Sequence, residues 1–116
     1  MITNKFKELI AKAINGEGFT APTYLAWGDD NTAPTGGDTA LGSELERNLK
    51  DSNIQQNNTV EIVGTLLTTE LVGSTIKEAG LLNASSGGDL FIRNVFPDIE
   101  KTNQFEISTI NIINIR

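Results

Sequence analysis

Three aspartates and an asparagine lie in one segment, residues 28–38, which also contains proline and glycine. Its carboxylates and amides, the oxygen ligands that Ca²⁺ takes from flexible loops, belong to Asp29, Asp30, Asn31 and Asp38. Their spacing departs from the D-x-[DN]-x-[DN]-G pattern of the EF-hand, and ordinary turns require the same residue types. We therefore predict a polar loop without a metal site, with calcium binding as the alternative.

Catalytic groups of the common kinds are scarce. The chain contains no cysteine and no histidine, so thiolate and imidazole chemistry is excluded. It contains neither a G-x-S-x-G elbow nor a phosphate loop that ends in Lys-Ser/Thr. The glutamates could include the carboxylate pair of a glycosidase, but their spacing pairs none of them. We predict a protein that is not an enzyme and binds no cofactor, with a carboxylate-pair hydrolase as the alternative.

The charge balance argues against two classes of partner. Nine basic residues stand against 15 acidic ones, for a net charge of -6, and Lys and Arg form no long run. Binding to a nucleic-acid backbone or an anionic membrane surface depends on clustered positive charge, so we predict neither partner. The chain also lacks a long apolar span and a signal peptide. We expect it to be made and kept in the cytoplasm, or to leave the cell by a route other than secretion.

Two large aromatic residues, Tyr24 and Trp27, precede the acidic segment. They could form a platform that stacks on a sugar or docks a partner. They could equally be core residues of a first strand, because large aromatic side chains dominate small cores. We favour the core and keep the platform as the alternative.

The chain begins with the pattern of an amphipathic helix, within residues 1–16. Phe6, Leu9 and Ile10 recur at the three- and four-residue spacings of one helical face, and Gly16 is a plausible stop. The apolar face must pack on the protein's own sheet or on a neighbouring subunit. At 116 residues and without a linker, the chain is predicted to be a single domain, 1–116.

Residues 23–116 read mainly as β structure. Strands are predicted at 23–27, 59–68, 74–82 and 90–96, the last two forming a hairpin, and a final strand follows Gln104. Its isoleucines change phase, which predicts a β-bulge or burial on both faces. A short helix capped by Asp38 or Thr39 is predicted to run to about Asn48, followed by a polar turn at 51–58. The Lys77-Glu78 pair is typical of an exposed edge or a bulge.

These elements define the predicted fold class. Four or five antiparallel strands, an N-terminal amphipathic helix and one short additional helix make a mainly β (α+β) domain that resembles an antiparallel β-sandwich.

Several short segments resemble a pattern found in structural proteins of tailed bacteriophages. The first runs from Leu25 to Asp29 and continues through Ala33-Pro34 to Asp38–Leu41, Glu44 and Arg47. The second, Thr75 to Leu82, resembles "t-I-x-E-x-G-L-F". Phe91-Ile92-Arg93, Pro97, Ile99 and Lys101-Thr102 follow in the same order. The group includes the baseplate-attaching N-terminal domain of tail fibres and small standalone virion proteins.

The resemblance implies a function and a set of contacts. Because the chain begins with its own helix and ends without a fibre shaft, it favours a standalone decoration, neck or tail component over a tail fibre. Such a protein would be non-enzymatic and homo-oligomeric, would contact other virion proteins, and would be made in the cytoplasm of a host bacterium. A receptor- or glycan-binding module of a tail fibre is the alternative. The candidate subunit contacts are Phe6, Leu9, Ile10, Tyr24, Trp27, Asp29 and Asp30.

The resemblance also implies roles for individual residues. Leu41, Glu44 and Arg47 would orient the short helix against the sheet, and Glu78-Ala79-Gly80 would form a constrained turn of a strand.

Overall fold

The computed structural model describes residues 1–116 and contains one helix and seven strands. In chain order these are α1 (Asn4–Ile14), β1 (Tyr24–Gly28), β2 (Glu44–Leu49), β3 (Ser52–Gln56), β4 (Thr59–Leu66), β5 (Thr75–Leu82), β6 (Leu90–Glu100) and β7 (Ile107–Asn114). The helix is not long and apolar enough to cross a membrane.

The strands form two antiparallel sheets that pack face to face. The larger sheet has the order β2-β1-β5-β6, and the smaller sheet has the order β3-β4-β7. The prediction of a mainly β, sandwich-like domain with an N-terminal helix is confirmed. The predicted strands at 23–27, 59–68, 74–82 and 90–96 are present, and β5 and β6 pair as the predicted hairpin.

The main core lies between the two sheets. Strand β1 supplies Leu25 and Trp27 from its inner face, and both side chains are completely buried. The Nε1 group of Trp27 donates a hydrogen bond of 2.9 Å to Thr109 Oγ1 of the opposite sheet. The sheets approach closely at Gly64, where an added Cβ would lie 2.4 Å from the Leu25 side chain. Burial of these apolar surfaces is the main force that holds the sheets together.

Helix α1 packs on the protein's own sandwich. Thr3 caps it by accepting a hydrogen bond from Phe6 N at 3.1 Å, and the same hydroxyl donates to Leu90 O at 2.6 Å. The Phe6 ring stacks on Phe91 with the centroids 4.7 Å apart. Beyond the helix, Gly16 adopts a φ of 85°, the left-handed conformation that commonly ends helices. The apolar face of the helix is therefore used within one chain.

The predicted short helix from Asp38 to about Asn48 is wrong. Residues 44–49 form strand β2, which pairs with β1, and the residues before it form a loop. The four-residue spacing of Leu41 and Leu45 suggested one helical face. In the structure Leu41 lies in the loop before β2 and is buried, whereas Leu45 lies on β2 beside the register shift at Trp27 and Gly28 and is exposed.

Two further local predictions are wrong. The polar turn expected at 51–58 contains strand β3, an exposed edge strand whose side chains are polar because few of them meet the core. Strand β7 has neither a bulge nor two buried faces, since it pairs with β4 without any register shift. Its inner face holds Asn111 and Ile113, whereas Ile110 and Ile112 are exposed.

The contact between Gly64 and Leu25 leads to a stability prediction. Gly64→Ala should lower the free energy of unfolding by about 1 to 3 kcal/mol, because the new methyl group overlaps a buried side chain. Urea denaturation followed by circular dichroism measures the change. The matched control is Gly18→Ala, where nothing lies within 4 Å of the new Cβ. An equal effect of both substitutions would show that the sheets do not meet closely at Gly64.

Candidate functional site

The most concentrated group of charges surrounds Glu78, on the face of the larger sheet that points away from the smaller one. A register shift between Ile76 and Glu78 breaks the regular pairing of β5 with β6. The bulge predicted for the Lys77-Glu78 pair is therefore present. The predicted exposed edge is wrong, because β5 lies between β1 and β6 and Glu78 is fully buried. Glu78-Ala79-Gly80 is continuous strand and not a turn.

Four hydrogen bonds satisfy the buried carboxylate of Glu78. Its Oε2 atom accepts from the backbone N–H groups of Asp30 at 3.0 Å and Ser43 at 2.8 Å. Its Oε1 atom accepts from Gly42 N at 2.8 Å and from Arg93 Nε at 2.9 Å. Both ends of the loop between β1 and β2 are thus attached to one side chain of β5.

Arg93 of β6 completes the cluster from the other side. Besides Glu78, its guanidinium donates to Thr32 O at 3.0 Å and to Asp38 Oδ2 at 3.2 Å. A longer contact of 3.8 Å joins it to Asp30 Oδ1. We name Glu78, Arg93, Asp30 and Asp38 the Glu78 cluster. Each charge in it is paired within the chain, an arrangement typical of a structural support because no group is left free to react.

Hydrogen bonds and nearby charges shift the pKa values of Asp30, Asp38 and Arg93. Hydrogen bonds from Thr32 hold the pKa of Asp30 below its usual value, with a smaller contribution from Arg93. The backbone and hydroxyl of Thr35, together with Arg93, do the same for the pKa of Asp38. Burial alone would lower the pKa of Arg93, but its hydrogen bonds to Glu78 and Asp38 more than offset this, so that pKa is raised. The carboxylates of Asp30 and Asp38 and the guanidinium of Arg93 are therefore charged at neutral pH.

Two glycines make room for the cluster. A Cβ at Gly28 would lie 2.6 Å from Glu78 Oε2 and 2.2 Å from Ser43 O. A Cβ at Gly42 would lie 2.2 Å from Asp30 Oδ2. Since real Cβ atoms do not approach other atoms so closely, the glycines allow the loop backbone to reach the buried carboxylate.

Within the predicted acidic loop, the carboxylates do not converge on one point. No three acidic side chains lie together in an arrangement that could hold a metal ion. Asp30 and Asp38 are directed to Arg93, and Asp29 is exposed. The guanidinium thus occupies the place that a cation would need between the two carboxylates.

The predicted aromatic platform does not form. The residues of a strand alternate between its faces, so Tyr24 and Trp27, three positions apart, lie on opposite sides of β1. Trp27 is fully buried between the sheets, and Tyr24 is half-buried. Trp27 is therefore a core residue, the interpretation that the sequence favoured. With Trp27 buried, the two aromatic residues do not form a sugar-stacking surface.

The candidate subunit contacts separate into three groups. Phe6 and Trp27 are buried inside the single chain. Leu9 and Ile10 are half-buried against the core. Tyr24, Asp29 and Asp30 keep some exposed surface.

Glu44 and Arg47 do interact, although on a strand rather than on the helix that the resemblance implies. Two hydrogen bonds of 2.7 and 2.8 Å join the Arg47 guanidinium to the Glu44 carboxylate. The remaining guanidinium nitrogen donates to Ala84 O and Gly87 O, each at 2.8 Å. The pair therefore ties β2 to the turn between β5 and β6, while Leu41 packs into a small second core with Ala26.

The chain also contains a serine and a lysine at the S-x-x-K spacing, Ser74 and Lys77. This spacing brings two side chains together on a helix, where residues three apart are neighbours. Here the segment enters strand β5, and no hydrogen bond joins the two side chains. The spacing therefore does not create a nucleophile and base pair in this fold.

The smaller sheet presents a surface of a different kind. Its outer face carries Ile54, Ile110 and Ile112, which are 60%, 56% and 59% exposed. The strand registers place Ile54, Glu61 and Ile112 in one row across the sheet, with Val63 and Ile110 in the next. We name this surface the outer face of the smaller sheet. Glu61 is the only charged residue among its outward positions.

Comparison with known proteins finds no family model that matches the chain and no curated protein that matches its sequence.

The buried carboxylate leads to a second stability prediction. Glu78→Gln should lower the free energy of unfolding by about 3 to 5 kcal/mol, because Arg93 loses its closest counter-charge and an amide NH₂ meets backbone donors. The control is Glu61→Gln on the outer face, which should change stability by less than about 0.5 kcal/mol. Urea denaturation measures both. Equal, small changes would mean that the Glu78 cluster does not support the fold.

The lowered pKa values of Asp30 and Asp38 predict a loss of stability in acid. Their pKa values are lower in the folded chain, so their pairing stabilises it above the unfolded pKa and is lost as pH falls through the folded pKa. The free energy of unfolding should therefore decline below about pH 4. Asp38→Asn should show a shallower decline. Denaturant titrations from neutral to acidic pH measure both curves, and parallel curves would contradict a role for Asp38.

Proposed function

We propose that this chain is a non-enzymatic structural protein of a tailed-bacteriophage virion, a decoration, neck or tail component. It acts through protein–protein contacts in a symmetric assembly, where its first partners are other copies of itself. It is made in the cytoplasm of the host bacterium and ends in the particle.

The outer face of the smaller sheet is the observation that carries this proposal. In a chain with a net charge of -6, this face has one acidic residue and three isoleucines that are each more than half exposed. Depletion of charge together with exposed apolar side chains is typical of the central part of protein interfaces. A second copy, whose matching face also carries a single acidic residue, can approach this face with little of the repulsion that its net charge causes elsewhere.

The Glu78 cluster supports the same proposal. Its charges are committed to one another and to the loop backbone, so they hold a surface in shape instead of presenting groups to a substrate. An assembly protein benefits from a rigid loop, because a contact repeated over many copies multiplies any error in geometry.

The resemblance to virion proteins supplies the biological setting. Its separate segments meet in the fold: Gly28 and Asp38 come from the first, Glu78 from the second and Arg93 from the third. Segments that are distant in sequence thus share one structural task. The resemblance therefore has a structural reason, because its three segments supply residues to the same cluster.

Mass spectrometry of purified particles tests the proposal. Particles of the phage that encodes the chain are isolated by density gradient, and labelled peptide standards give its number of copies relative to the major capsid protein. We expect a fixed copy number that matches the symmetry of one part of the particle.

An abundant host enzyme serves as the control for contamination and should disappear during purification. A chain that is plentiful in the infected lysate but disappears together with that enzyme would overturn the proposal.

A further inference from the structure

We propose that the free edge of β7 pairs with the β7 edge of a second copy, in an antiparallel arrangement centred on Asn111. The two smaller sheets then form one continuous six-stranded sheet across a two-fold axis. This inference deepens the proposed function and rests on it, since it names the contact between copies.

Strand β7 ends the smaller sheet and is paired on one side only. Its whole length, Ile107–Asn114, is hydrogen-bonded to β4. In the larger sheet the neighbouring edge strand β6 is partly covered, because the N-terminal residues pair with it at Ile2 and Ile92. No segment covers β7 in the same way. Its unpaired N–H and C=O groups are a template on which another strand can add.

The edge of β7 lacks the features that usually prevent such pairing. Natural edge strands are guarded by charged side chains, proline or bulges. Residues 107–115 contain no charge and no proline, and the pairing with β4 has no register shift. The strand is thus a regular, uncharged segment in an acidic protein, and two copies can approach each other there without like-charge repulsion.

Asn111 places an unsatisfied hydrogen-bond donor beside this edge. Its side chain is only 7% exposed, and its Nδ2 group is buried without any hydrogen-bond partner. Buried amide groups are nearly always hydrogen-bonded, because an unsatisfied donor costs free energy. Two cavities of ≈ 270 and ≈ 240 Å³ flank this residue along the seam between β6 and β7, and Asn94 lines both. An acceptor for Asn111 can therefore come from outside the chain, along this open seam.

The backbone of β7 fixes which residues can pair. Ile115 N donates to Asn58 O of the adjoining strand at 2.9 Å, so this residue and every second one before it direct their backbone groups inward. The N–H and C=O groups of Ile110 and Ile112 therefore point to the free edge. A partner strand must use these groups.

One antiparallel register satisfies the backbone and Asn111 together. In it, Ile110 pairs with Ile112 of the partner subunit, and Ile112 pairs with Ile110 of the partner subunit. The two Asn111 residues then face each other as a non-hydrogen-bonded pair, with Cα atoms about 4.5 Å apart. At that distance each Nδ2 group can donate to the Oδ1 atom of the other amide. Self-complementarity of this kind is what a two-fold interface requires.

Single cysteine variants test the register directly, because the natural chain has no cysteine. A disulfide requires Cα atoms about 4.4 to 6.8 Å apart. Under mild oxidation, Asn111→Cys should give a covalent dimer on a non-reducing gel. Leu49→Cys, which is 59% exposed and lies on β2 at the far edge of the larger sheet, should stay monomeric on the gel although it is far more exposed than Asn111. Preferential cross-linking through Ile110→Cys or Leu49→Cys, or none through Asn111→Cys, would overturn the inference.

A charge on the edge tests the same contact without a covalent bond. Ile110→Lys should weaken the dimer roughly tenfold in Kd by light scattering, because two lysines are introduced close to the two-fold axis. Leu49→Lys, at a 59% exposed position of β2 on the far edge of the larger sheet, is the matched control and should leave the dimer unchanged. Circular dichroism establishes that both variants fold.

Each result separates this inference from the proposed function. A dimer that Ile110→Lys does not weaken, or a wild-type chain that remains monomeric, overturns pairing through β7. Neither result removes the chain from purified particles. Conversely, a chain that dimerises through β7 but is missing from particles keeps this contact and overturns the virion proposal.

Discussion

The arrangement of the larger sheet and its longest loop depends on one buried carboxylate. A glutamate inside a protein is tolerated only when its oxygens receive several hydrogen bonds and its charge is balanced. Glu78 meets these conditions by taking backbone donors from both ends of the loop and a guanidinium from the next strand. The loop must therefore run across the sheet, and on this path its residue Leu41 packs into the second core with Ala26, Leu82 and Leu90. Electrostatics thus sets the shape of a region that has no regular secondary structure.

Much of the fold could be predicted from the sequence because it follows from periodicity. The helix, the strand with Trp27 and the β5–β6 hairpin all have strong local patterns. Strand β2 could not be recognised, since Leu45 on the strand and Leu41 in the loop before it have the four-residue spacing of a helical face. Strand β3 is polar because it lies at an edge, and only the tertiary structure reveals that.

The candidate site was less predictable, because its parts are far apart in the chain. The sequence predicts the polar loop at 28–38 and an edge or bulge at Lys77-Glu78, but it gives no sign that Arg93 joins them. Strand alternation could have shown that Tyr24 and Trp27 point to opposite faces. The isoleucines of β7 were noticed for their change of phase. Their exposure became evident only once β4 was found to pair with the strand in regular register.

The position of the N-terminal amino group has a practical consequence for anyone who produces this protein. The Met1 ammonium donates to Arg93 O at 2.7 Å, and Met1 and Ile2 line the same cavity as Ile110, Asn111 and Ile112. An affinity tag fused at this end would replace the ammonium by a peptide bond and would leave the domain beside the free edge of β7. A tag at the C-terminus, after Arg116, avoids that cavity. The position of the tag therefore decides whether the free edge of β7 keeps its native surroundings in the purified protein.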